Sequence, residues 1–147
     1  MSLPSVHTEL PVLQETEFAY YKDGYRYQLV RPFCAKTKIR PARVILTEWI
    51  ILTPDGWLYI RPGYAWDGAS GPAVNTRSWV VPSLIHDALC QLMALKLLPV
   101  ALANDVHDEM HRFCLKKGML KPRAWYSREA VKLAWTPKMS KKEELSA

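Results

Sequence analysis

The chain has 147 residues, 49% of them hydrophobic, and carries 20 Lys and Arg against 14 Asp and Glu for a formal net charge of +6. That length suits one ordinary domain with a real core, and it leaves no material for a second. No run of eighteen apolar residues occurs and Met1-Ser2-Leu3-Pro4-Ser5 leads into a mixed polar segment, so neither a membrane span nor a secretory signal is predicted.

From Met1 to about Glu17 there is little periodicity, and Pro4 and Pro11 interrupt any regular element, which predicts an extended arm over 1–17. Phe18–Tyr21 reads as a short strand and Lys22-Asp23-Gly24 as a turn. Tyr25–Val30 alternates apolar with polar residues, the pattern of a half-buried strand. Pro32 and Pro41 bracket a loop that carries the basic cluster Lys36, Lys38, Arg40 and Arg43. Val44–Leu52 is rich in β-branched and aromatic residues and reads as one strand. Thr53-Pro54-Asp55-Gly56 then has strong turn chemistry, so Trp57–Ile60 is predicted to return antiparallel to it.

After Pro62-Gly63 the character changes. Ser83 is placed as the N-cap of a first helix, which puts His86 and Asp87 in its first turn. A second helix is predicted from about Val100 to Lys117, closed by Gly118, with Leu102, Val106, Met110, Phe113 and Cys114 on its buried face. Pro122 opens a third that stops near Trp135 at Thr136-Pro137. The remainder, 138–147, is charged and reads as a loose tail. The predicted architecture is α+β: an antiparallel N-terminal sheet packed against three C-terminal helices, forming a single domain over 18–137.

The chemistry-bearing residues gather at the seam between strands and helices. Asp67 sits between Trp66 and a Gly-Ala-Ser-Gly run, and the His86-Asp87 doublet interrupts an apolar helix. Polar groups in such places need partners. Asp67, His86 and Asp105 are the candidate ligands of a divalent ion (zinc, manganese or magnesium), with Asp87 as ligand, base or orienting group. Such a site would supply hydroxide for hydrolysis. The plainer alternative is that His86 and Asp87 satisfy helix N-terminal groups. Ser70 is a candidate nucleophile beside His86, although its loop lacks the spacing of a nucleophile elbow. His107 and His111 lie one helical turn apart as in zinc-protease helices, but Asp108 stands where the catalytic glutamate would, and two surface histidines is the simpler reading. Lys121, Arg123 and Trp125 interleave cations with an aromatic ring, a composition suited to holding a nucleic-acid strand. Glycine-rich phosphate loops and dinucleotide fingerprints are absent from the sequence. Cys34, Cys90 and Cys114 are odd in number and far apart, which predicts buried, reduced thiols. Six Trp and seven Tyr exceed what packing needs, so some should line a cleft or interface.

Pro62-Gly63-Tyr64, Asp67-Gly68-Ala69-Ser70-Gly71-Pro72, His86-Asp87, Asn104-Asp105 and the later Arg123-Ala124, Tyr126, Ala130 and Val131 together resemble the domain of unknown function 1353, a family of small bacteriophage and prophage proteins. The resemblance covers roughly Tyr59 to Leu133, and Asp108 departs from the apolar or aromatic side chain expected at its position. It implies a phage origin, with a place in the host cytoplasm or the virion, and brings no established activity. Three expectations follow: a metal-dependent hydrolase acting on a cell-wall or phosphodiester bond; a tail or head component whose arm and tail contact other virion proteins; and a nucleic-acid-binding accessory protein.

Overall fold

The computed structural model describes residues 11–23, 26–66 and 77–146. The chain divides into two compact units, Met1–Trp66 and Asp67–Ala147. Among the described residues, seven antiparallel strands are followed by three helices, which makes the fold α+β. The domain expected over 18–137 spans parts of both units.

The N-terminal unit holds two small sheets. Strands β1 (Tyr21–Asp23), β2 (Tyr27–Leu29) and β7 (Ala65–Trp66) form the first, in the order β1-β2-β7. Tyr21, Tyr27, Tyr64 and Trp66 cluster there, with ring centroids between 4.9 and 6.5 Å apart. Part of the aromatic surplus is therefore packing. The second sheet comprises β3 (Phe33–Lys36), β4 (Ile45–Leu46), β5 (Ile50–Leu52) and β6 (Trp57–Ile60), in the order β3-β6-β5-β4. Phe33, Ile50, Leu52, Leu58 and Ile60 are buried in it.

Three strand expectations need correction. The Pro32–Pro41 loop contains β3, because Phe33-Cys34-Ala35 is a fully buried apolar run without the alternation that marks a half-buried strand. Val44–Leu52 is not one strand but a hairpin. The Thr47 hydroxyl accepts the Ile50 N–H at 2.8 Å and turns the chain between β4 and β5. Lys22 and Asp23 belong to β1, while Gly24 lies outside the described residues. By contrast, Trp57–Ile60 pairs antiparallel with β5 as expected. Residues 14–16 of the predicted arm lie along the outer edge of β3. Thr16 N–H donates to the Cys34 carbonyl at 2.7 Å, and the Glu15 carboxylate accepts the Lys36 N–H at 2.7 Å. Side chains thereby cover an edge that would otherwise present open backbone groups.

The C-terminal unit consists of α1 (Arg77–Ala94), a 3-10 turn (Val100–Leu102), α2 (Ala103–Lys116) and α3 (Lys121–Ser146). Trp79, Met110, Cys114, Met119 and Ala124 form a buried cluster that draws on all three helices. Helix α1 starts six residues before the predicted cap. Its Ser83 hydroxyl donates back to the Val80 carbonyl at 2.9 Å, so the hydroxyl serves the helix interior instead of its end. Helix α2 closes as expected, with Gly118 at φ +91, Gly118 N–H on Leu115 O and Met119 N–H on Cys114 O. Helix α3 opens as expected around Pro122 but runs on through Pro137 to Ser146, where a stop and a loose tail are predicted. One proline removes a single backbone bond, and a helix that has already propagated can continue past it.

The end of α1 uses the same kind of cap with a poorer residue. Lys96 takes φ +63, with Lys96 N–H on Met93 O and Leu97 N–H on Leu92 O. A left-handed conformation costs an L-residue about 1 kcal/mol. Lys96→Gly is therefore expected to raise unfolding stability by roughly 0.5–1 kcal/mol, read as an increased urea midpoint at unchanged slope.

Candidate functional site

In α1, His86 falls in the third turn, flanked on its own face by Leu89, Cys90 and Met93. It is too deep in the helix to satisfy N-terminal backbone groups, which removes that explanation for the doublet. In α2, the buried positions are Val106, His107, Glu109, Met110, Phe113 and Cys114. His107 sits three residues before Met110 and seven before Cys114, inside the apolar stripe. It is therefore not a surface histidine.

These two elements bring the imidazoles together. The Nε2 of His86 and the Nδ1 of His107 face each other at 3.0 Å, with ring centroids 5.1 Å apart. Both residues are buried, at 8% and 2% exposure. Burial, and secondarily the neighbouring His107, push His86 down to about 3. Burial and then the charge of Lys132 push His107 down to about 4, against an opposing pull from Asp108. Both rings are thus neutral at pH 7. On the far side of the His86 ring, an Asp87 carboxylate oxygen lies 4.0 Å from Nδ1. That carboxylate is beyond hydrogen-bond distance, and one of the two facing ring nitrogens donates to the other according to the tautomers.

Cys90 also neighbours His86, with its sulfur 3.5 Å from Nε2 and 3.9 Å from Nδ1. Near-equal distances place the sulfur beside the ring. A sulfur in line with the Nε2 lone pair would be much farther from Nδ1. The thiol therefore packs on the imidazole without the alignment of a nucleophile and its base.

The other predicted residues are placed as follows. Asp67 and Ser70 lie outside the described residues. Asp105 is exposed in the first turn of α2, where a carboxylate complements the helix dipole. It is two residues from the buried His107 and so points about 200° away around the helix; no hydrogen bond or ion pair joins it to His86 among the described residues. His111 is half-buried, and among the described residues it joins no group of three that could hold a metal ion. Lys121 and Trp125 are exposed on α3, four residues apart on one face, and Arg123 is half-buried on another.

Compared with protein-family models, with curated proteins and with solved structures, the chain matches none.

The pairing that sequence reading missed is His86 with His107. Its signal was there in the spacing, because a histidine on an i, i+3, i+7 apolar stripe is buried and needs a partner. Two such histidines on adjacent helices supply each other. Two acid pairs support the same region. Arg112 grips the buried Glu109 with Nε and Nη2 at 2.8 and 2.7 Å, and Arg128 reaches from α3 to Asp108 at 2.9 Å.

As a metal shell the described residues are incomplete, since no group of three His, Cys, Asp or Glu among them could hold an ion. What they do provide is two neutral nitrogen donors at a separation that neighbouring ligands of one ion also adopt, given bonds of about 2.0–2.1 Å. Among the described residues, no helix is long and apolar enough to cross a membrane.

Proposed function

We propose that the chain is a bacteriophage-encoded hydrolase that works with a divalent metal ion at His86. The observation that carries this reading is the buried, neutral His86–His107 pair, with Nε2 and Nδ1 facing at 3.0 Å. A histidine held this far below its usual range is a poor acceptor of a nucleophile's proton. As a ligand it uses the neutral ring, and an ion would replace the hydrogen bond that the two rings share in the metal-free protein. That argument favours a metal over the Ser70 or Cys90 alternatives.

In this reading His86 and His107 donate nitrogen, Asp67 is the third donor nominated by the sequence, and Asp87 stands beside Nδ1 of His86. Asp105 serves α2 instead of the ion. The ion, when bound, lowers the pKa of a coordinated water so that hydroxide is available near neutral pH. Asp87 remains the candidate to take the proton released.

The test is metal analysis of the full chain after equilibration with zinc, manganese or magnesium and desalting. About one ion per chain is expected in the wild type. In His86→Ala and in His107→Ala the affinity should fall by at least 10-fold. A wild type that retains no ion, or variants that retain it equally, would sink the reading.

A second reading is favoured by a separate observation. Val12 and Phe18 are 85% and 61% exposed on the segment that runs past β3, and apolar side chains on such a segment suit contact with another virion protein. A chain that binds no metal and sediments with purified virions supports that alternative.

A further inference from the structure

We propose that the substrate of this site is a single strand of nucleic acid, which lies along one face of α3 and is led by it toward His107. This rests on the hydrolase reading and names its substrate class as a phosphodiester.

The face is defined by spacing. Lys121, Trp125, Arg128 and Lys132 are separated by four, three and four residues, so they fall within an arc of about 60° on α3 and span about 16 Å. Lys121 is exposed and Trp125 is 55% exposed, whereas Arg128 and Lys132 are half-buried. The N-terminal half of the stripe is thus more exposed than the C-terminal half. Its inner end is tied to the histidine site, because Arg128 donates to Asp108 at 2.9 Å and Asp108 adjoins His107 in α2. Lys132 lies close enough for its charge to reach the His107 ring.

The side chains have different uses. Arg128 is already held by Asp108 and Glu129, so it fixes the path. Lys121, and Lys132 whose Nζ is 4.0 Å from Glu129, are left to meet phosphates. Between them Trp125 offers a flat apolar ring at the height where a base would stack, and stacking makes no demand on sequence. A duplex hides its base faces and would leave the ring without a partner. A lipid surface would ask for aliphatic side chains on the same face, but the exposed Leu133 lies about 120° round the helix from Lys121. The chain's +6 charge supports an anionic partner generally.

The experiment is fluorescence anisotropy of a labelled twelve-nucleotide oligothymidylate with the full chain in EDTA, so that binding is read without any metal. Wild type should bind the single strand more tightly than a duplex of equal length or poly-glutamate. Trp125→Ala should weaken binding by about 10-fold. Lys121→Gln/Lys132→Gln should weaken it and reduce the slope of log affinity against log salt by about 1.4. Leu133→Ala, off the stripe, should bind as wild type, and circular dichroism should show every variant folded.

The proposal is overturned if the oligonucleotide does not bind, if the duplex or poly-glutamate binds as well, or if Trp125→Ala has no effect. Metal bound without oligonucleotide binding removes this inference and leaves the hydrolase reading standing. Oligonucleotide binding by a chain that retains no metal removes the hydrolase reading and with it the role of substrate, leaving α3 a single-strand binding face only.

Discussion

Gly56→Ala is expected to lower the stability of the N-terminal unit by about 4 kcal/mol, from strain in a left-handed backbone together with a steric clash. Gly56 has φ +99, and a β-carbon there would stand 2.2 Å from the Thr37 carbonyl oxygen. That oxygen belongs to backbone and has little room to retreat. Thr37 donates both its N–H and its hydroxyl to the Gly56 carbonyl, each at 2.8 Å, so the two strand connections are locked together. Gly56 N–H in turn bonds Thr53 O, and the Thr53 hydroxyl accepts Trp57 N–H and donates to Asp55. The hydrogen bond from Thr53 holds the exposed Asp55 below the usual carboxylate range. Urea unfolding followed by tryptophan fluorescence checks the loss. Gly118→Ala supplies the contrast, since Gly118 has φ +91 but nothing within 4 Å of a built β-carbon. It should cost only about 1 kcal/mol. Equal losses at the two glycines would show that the contact with Thr37 is not what matters.

Mild acid should destabilise the metal-free protein through the histidine pair. His86 and His107 are held down to about 3 and about 4, whereas an unfolded histidine titrates near 6.5. Between those values the unfolded chain binds protons that the folded chain refuses. Stability is therefore fully present above about pH 6.5 and falls as the pH drops toward 4 and then 3, by up to about 1.4 kcal/mol per pH unit for each ring. By pH 5 the combined loss should be on the order of 4 kcal/mol. Few carboxylates titrate between pH 7 and 5, so the window is nearly clean. Urea unfolding at pH 7, 6 and 5 in EDTA measures it. The double variant His86→Leu/His107→Leu should flatten the dependence, since two apolar side chains can replace a mutually satisfied polar pair. A slope unchanged in the double variant would place the acid sensitivity elsewhere.

Much of the fold was legible because its signals were local. The turn at Thr53–Gly56, the helix stop at Gly118 and the helix start at Pro122 each depend on the backbone preference of one or two residues. Errors came where a local signal had two meanings. Ser83 read as a cap, yet a serine can also bond back within a helix, and Trp79, Val80 and Val81 ahead of it already form part of the buried face. Phe33-Cys34-Ala35 lacked alternation because that strand is buried throughout. In the site, His86 was recognised as a polar interruption of an apolar helix. Its partner was not, because His107 stands among Asp108, Glu109, His111 and Arg112 and seemed to share their solvent exposure. The helical period decides between those surroundings and the core, and it selects His107 with Met110 and Cys114.

The three free cysteines are all buried, one in the N-terminal unit and two in the C-terminal unit. Burial raises the Cys34 thiol to about 11 and the Cys114 thiol to about 12. At neutral pH neither offers thiolate to an alkylating reagent while its surroundings stay closed. Each cysteine is consequently a native chronometer of local opening. Mass-resolved labelling would time the breathing of the sheets through Cys34 and that of the helices through Cys114, with no probe introduced.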